Sequence, residues 1–361
     1  MPGDAVSSAA YSAIPLMLGG TVLRGAAAAG PDQAARPDSP SATTVIARTS
    51  RCRITPPTID TAVQNEQMHL GLHLPQLDLD GRGLSHGRLL RAARAARDSG
   101  FGSLCANDHV LFPRPWLDGL TSLGAVVADS GDLELVTTAA VPALRHPLVL
   151  AKALAALDVL SGGRVVAGIG AGSSRDDYAA VGIPFGERWQ RLDEAARLLR
   201  HVLRGEAAPS RARHYPAPPR PLAPTPSRPV PVWLASWGSP AGLRRVARYG
   251  DGWLASAYNT DPDLLATARA QLPAAMPVAL ATMWTYVTED GPEARRVVDD
   301  VLAPMLGRDP DQVRDRVCVG SAQQCAELVG RYVEAGCDRI HFWPLADEER
   351  QVEVIAGRLA A

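Results

Sequence analysis

The stretch that most constrains this chain is residues 135–172. It opens with Leu135, Val136, Thr137 and Thr138, a run suited to a strand. Pro142 and Pro147 exclude a regular element directly after it. Residues 148–160 are almost wholly apolar and too numerous for a strand, so they read as a buried helix. Ser161, Gly162 and Gly163 stop that helix, with glycine supplying the left-handed cap. Residues 164–169 form a second strand, which runs into Gly170, Ala171 and Gly172. Strand, helix and strand in this order make a βαβ unit, with parallel strands and a right-handed crossover.

The same rhythm recurs along the chain. Further strands are expected at residues 69–75, 101–106, 232–235, 251–255, 278–287 and 338–343. Ser85 caps a helix with Leu89, Leu90, Ala93 and Ala96 at helical spacing, closed by Gly100. Other helices are expected at 117–130, 187–204, 322–335 and 348–359, and one begins with Pro240 near its first position. Residues 173–186 read as loop. About eight strands alternating with helices fit a (β/α)8 TIM barrel, with a doubly wound open sheet as the alternative. Residues 209–231 hold nine prolines and are a long loop inside the barrel domain, 67–361. Residues 1–66 are rich in Ala, Ser, Thr, Pro and Gly without periodicity. They read as a disordered leader, or as sequence ahead of a true start at Met68.

A formal net charge of −1 gives no electrostatic case for nucleic acid or an anionic membrane. No apolar run reaches the length of a bilayer span. The cysteines, Cys52, Cys105, Cys318, Cys325 and Cys337, form no CxxC pair, so no metal site is expected and a cytoplasmic protein with free thiols is.

In such a barrel the chemistry sits where strands end. Three groups fall there: Asp108 with His109, the Gly170–Gly172 loop, and Ser236, Trp237 and Gly238. The two glycine loops offer backbone amides to an anion, so a phosphorylated ligand is expected, although either reads equally as a tight turn. A histidine at a strand end can exchange a proton near neutral pH. Asp176 and Asp177 read as solvated surface, Arg145 as a loop anchor, and Trp233 and Trp253 as packing. Trp237, in a turn, is a possible exception.

The chain resembles the bacterial-luciferase-like monooxygenases and their relatives that use the deazaflavin F420. The resemblance is carried by Asp108–His109, Arg145–His146–Pro147, residues 157–164, 168–172, 182–188 and 191–194, and by 242–248 with 251–253, in the family's order. It implies a TIM barrel with a late insertion, here at 288–319, and a cofactor across the strand ends. It also implies a cis-peptide bulge near Thr138, Ala139 and Ala140 that supports the cofactor ring. Asp108, Gly170, Ala171, Gly172, Ser173, Ser236, Trp237 and Gly238 would contact the cofactor, and His109 would be catalytic. Relatives acting on sugar phosphates carry a glutamate where this chain has Ser173.

The expected function is hydride transfer between F420 and a small organic substrate. An FMNH2-dependent monooxygenase fed by a separate flavin reductase is the alternative. A non-catalytic flavin- or F420-binding protein, or an unrelated barrel hydrolase, are the readings from other classes. A homodimer is expected.

Overall fold

The structure, a computed structural model, describes residues 68–208 and 211–359. The expected leader at 1–66, and Cys52 within it, lie outside the described residues. Nine parallel strands form one sheet: β1 (His69–His73), β2 (Ser103–Ala106), β3 (Glu134–Thr137), β4 (Val165–Ile169), β5 (Val232–Ala235), β6 (Gly252–Ser256), β7 (Val278–Val287), β8 (Cys318–Gly320) and β9 (Arg339–Pro344). Strands β1 to β7 pair in order, β7 pairs with β9, and β9 returns to β1, so eight strands close a barrel. The open-sheet alternative is thereby excluded. The ninth strand, β8, is an appendage that pairs only with residues 285–287 of β7. Sequence reading missed it because three residues carry too little pattern.

Strand alternation separates two cores. On β1, Leu70 and Leu72 point outward into the layer between barrel and helices, which also takes Leu104, Leu135, Val165, Leu234 and Phe342. The opposite parity fills the barrel interior with Cys105, Val136, Val166, Trp233, Leu254 and Ala279. Burying these side chains is the main stabilising contribution to the fold, at about 25 cal/mol per Å² of apolar surface. The four described cysteines are buried free thiols.

The helix at Pro147–Ser161 begins and ends close to where the sequence placed it, with Gly162 at φ 74 as its left-handed cap. The expectation of a buried helix fails on its outer face, where Val149, Val159 and Leu160 are 63%, 51% and 72% exposed. Arg164, just past that helix, binds the carbonyls of Ser161 and Leu133, and Asp158 accepts the Val165 amide. The 157–164 motif therefore staples the bottom of β3 and β4, away from the strand ends.

Other boundaries moved. The helix expected at 117–130 is confined to Gly119–Ala125, where the Asp118 side chain caps it at the Thr121 amide. The expected loop at 173–186 contains a helix, Arg175–Ala180, capped by Ser174. The late segment 288–319 is made of short helical pieces that lead into β8.

Candidate active site

The rim at the strand C-termini has a floor of small residues. The peptide bond between Thr138 and Ala139 is cis, within the stretch where a bulge was expected. The bulge is pinned from β4: Ala140 donates to the Gly168 carbonyl at 2.9 Å, Gly170 donates to the Ala140 carbonyl at 2.9 Å, and Thr137 Oγ1 donates to Gly168 at 2.7 Å. A side chain at 168 is excluded, because a Cβ there would lie 2.0 Å from the Thr137 carbonyl oxygen. A Cβ at Gly170 would meet the Cβ atoms of Ala235 and Ala139, at 3.1 and 3.5 Å. Ala139, Gly170 and Ala235 thus form one shelf, and the loops after β4 and β5 are neighbours on one rim.

Beside the shelf the backbone is short of acceptors. The amides of Ala171, Gly172 and Ser173 have no partner among the described residues, and neither has that of Trp237. Gly172 adopts φ 69, a left-handed conformation in which a glycine is favoured and which recurs in anion-binding turns. Two expected donors are withdrawn from this set. The Gly170 amide is used by the bulge, and the Gly238 amide is taken by Ser236 Oγ at 3.2 Å. Ser236 also gives its carbonyl to Trp253 Nε1 at 3.0 Å, so both it and the buried Trp253 shape the loop. Trp237 is 55% exposed and remains available to a ligand.

The opposite half of the mouth is aromatic. Trp343 stacks on His73 with ring centroids 4.3 Å apart and on Trp284 at 4.5 Å. Trp116 meets Trp343 edge-on at 5.5 Å and packs against His109 at 4.7 Å. The two halves join at His73 Nε2, which lies 3.3 Å from Thr138 Oγ1 at the bulge. The indole Nε1 atoms of Trp116 and Trp284 are buried without a partner. An acceptor-bearing flat ring would supply what they lack, since an unsatisfied buried donor costs about 1–3 kcal/mol. A small-residue shelf, a row of free amides and two orphaned indole donors together fit a planar ring with an anionic tail.

His109 stands at the edge of this mouth, with its Nδ1 2.9 Å from Asp177 Oδ2. The other Asp177 oxygen accepts the Leu111 amide at 2.7 Å. Burial would raise the Asp177 carboxyl, but the hydrogen bonds from His109 and from the backbone after it outweigh this and hold it below its ordinary value. An ionised Asp177 keeps the proton on His109 Nδ1 and leaves Nε2 to accept one. Asp177 is 3% exposed, so its reading as solvated surface was wrong: from the first turn of its helix it reaches the loop after β2.

Asp108, expected to contact the cofactor, is engaged within the protein. It is 5% exposed and accepts from Arg145 Nε at 3.0 Å, Arg145 Nη2 at 2.6 Å and the Val141 amide at 3.1 Å. Arg145 also binds Asp118 and is the loop anchor expected of it. Gln76, unremarked in the sequence, is fully buried and binds the Asn107 backbone on both sides, at 2.6 and 2.9 Å, and the Leu117 carbonyl at 3.0 Å. A buried glutamine just after β1 was the available signal. These contacts fix the segment that carries His109.

The family model described as luciferase-like monooxygenase matches residues 68–302. An F420-dependent hydroxymycolic acid dehydrogenase of Mycobacterium tuberculosis is 33% identical over 225 residues, 58% of this chain and 61% of that protein. An F420-dependent glucose-6-phosphate dehydrogenase of Beutenbergia cavernae is 34% identical over 177 residues, 46% of this chain and 51% of that protein. The chain thus spans just over half the length of these curated relatives. A solved F420-dependent secondary alcohol dehydrogenase, in complex with an F420-acetone adduct, superposes with TM-score 0.69 at 18% identity, covering 81% of this chain and 98% of that one. A monooxygenase from Streptomyces bottropensis gives TM-score 0.69 at 23% identity, with the same coverage. At these identities the structural likeness establishes the fold alone.

Proposed function

Because the chain belongs to the luciferase-like monooxygenase family, we propose that it is an oxidoreductase passing a hydride between coenzyme F420 and a small organic substrate. The observation that carries the reading is the juxtaposition on one rim of the small-residue shelf, the unpartnered amides of Ala171, Gly172 and Ser173, and His109 held by Asp177. The F420-dependent relatives favour F420 over FMN. When bound, F420 would supply the carbon that gives or takes the hydride.

The residues of this chain have separate tasks. The three amides hold the cofactor phosphate, as backbone donors do in such turns. Ala139, Gly170 and Ala235 let a ring lie close to the backbone. Trp116 and Trp343 exclude water from the inner half of the mouth. His109 Nε2 takes a proton from a substrate hydroxyl as a hydride leaves its carbon, and returns it in the reverse direction. Asp177 fixes the tautomer required and stabilises the charged ring that results. Thr138 holds the bulge through His73 and the Ala106 carbonyl.

The second reading is an FMNH2-dependent monooxygenase served by a separate reductase, favoured by the likeness to a monooxygenase at equal TM-score. The test is His109→Ala. Turnover is expected to fall about a hundredfold or more with cofactor affinity little changed. Unchanged turnover removes His109 from the reaction, and no turnover in wild type with any candidate substrate leaves a binding protein.

A further inference from the structure

Outside the barrel mouth, a cleft of about 370 Å³ opens beside Arg145. That is the size of a small-molecule site. Ala143, Leu144, Val181 and Ile183 give it an apolar wall. Its polar lining is Arg145, His146, Arg191, His214 and Tyr215, with no carboxylate among them.

Arg145 and Arg191 already hold carboxylates, whereas the buried His214 and Tyr215 keep polar atoms without a partner among the described residues. The His214 side chain is 8% exposed, and its Nε2 is buried without a partner. Tyr215 Oη accepts from Arg191 at 3.3 Å, and its own proton has no acceptor among the described residues. His146 Nδ1 accepts the Leu148 amide at 3.3 Å, so the neutral ring carries its proton on Nε2. The nearby carboxylate, Glu187, is engaged by Arg191 at 2.7 and 2.9 Å and stands 3.9 Å from His214 Nδ1.

The wall is also built. Both oxygens of Glu194 accept the successive amides of Arg213, His214 and Tyr215, at 3.0, 2.7 and 3.1 Å. This pins part of the proline-rich loop over the cleft, where Tyr215 meets His146 edge-on at 5.3 Å.

We propose that this cleft binds a small organic anion, a carboxylate or phosphate carried on a short apolar body. The anion is either a free acid from solution or the acidic tail of a ligand seated on the rim. Arg145 lines the cleft with the guanidinium that holds Asp108, so an occupant acts on the segment carrying His109.

The test is calorimetric titration of the full chain with glutarate and with inorganic phosphate, in wild type, His214→Leu and Tyr215→Phe. Saturable binding that weakens about tenfold or more in both variants supports a free acid. The second arm compares coenzyme F420 with the deazaflavin lacking its acidic tail. A wild-type preference for the tailed form that disappears in His214→Leu supports the tail. Absence of glutarate and phosphate binding, together with an unchanged tail preference, overturns the proposal. Binding of either probe unaffected by both substitutions also overturns it. If F420 does not bind at all, the cofactor reading fails and the glutarate arm alone decides this one.

Discussion

At the scale of single residues, the site depends on what each polar side chain is left free to do. His109 stands out in the sequence as a strand-end histidine, a pattern that fits a structural role as well as a catalytic one. Its partner does not: Asp177 lies 68 positions away and carries the same local signature as any acidic pair in a first helical turn. The ion pair of Asp108 with Arg145 could not be read, since sequence adjacency to His109 says nothing of Arg145. Asp177→Asn keeps the shape but removes the charge that fixes the His109 tautomer. It is expected to lower turnover strongly while leaving cofactor affinity near wild type, and to shift the pH profile of kcat. An unshifted profile at lowered kcat makes Asp177 a packing residue only.

At the scale of elements, the β4 segment and its glycines set the position of everything on the rim. The βαβ unit could be read because an almost wholly apolar run of thirteen residues between a strand pattern and a glycine pair leaves few alternatives. The use of the amides could not, because which N–H a bulge consumes depends on a neighbouring strand: Gly170 lost its donor to Ala140. Likewise β8 depends on the exposed edge of β7 beyond its irregularity near Thr282, which no local pattern announces. Gly168→Ala places a Cβ against the Thr137 carbonyl at 2.0 Å and is expected to cost about 1–3 kcal/mol in urea unfolding. Gly330→Ala, mid-helix with nothing within 4 Å, should stabilise by about 0.5–1 kcal/mol. Equal effects of the two would remove the steric account of the shelf.

At the scale of the whole molecule, the barrel interior carries a histidine cost. His73 and His341 are fully buried, and His69 lies on the same inward parity of β1. Burial pushes His73 down to about 3. Burial, then Arg339, pushes His69 down to about 4, and burial with the neighbouring histidines holds His341 well below its ordinary value. The unfolded chain takes up these protons near the ordinary value of 6.5 while the folded chain does not. Stability is therefore full above that pH and falls as pH drops from it toward about 3, with a slope of about 1.4 kcal/mol per pH unit for each fully shifted group. Urea midpoints at pH 7.5 and 5.5 should show this loss, and a flat profile contradicts it. Among the described residues no helix is long and apolar enough to cross a membrane.

The central claim is that one rim holds both a redox ring and the phosphate next to it. Parallel fluorescence titrations with F420 and FMN, on wild type and on Gly172→Ala, test it directly. The left-handed φ of 69 at Gly172 costs an alanine about 1–2 kcal/mol and disturbs the amide row. The account predicts saturable F420 binding to wild type, weaker FMN binding, and about tenfold loss of F420 affinity in the variant. Failure of both cofactors to bind, or F420 affinity untouched by Gly172→Ala, would contradict it.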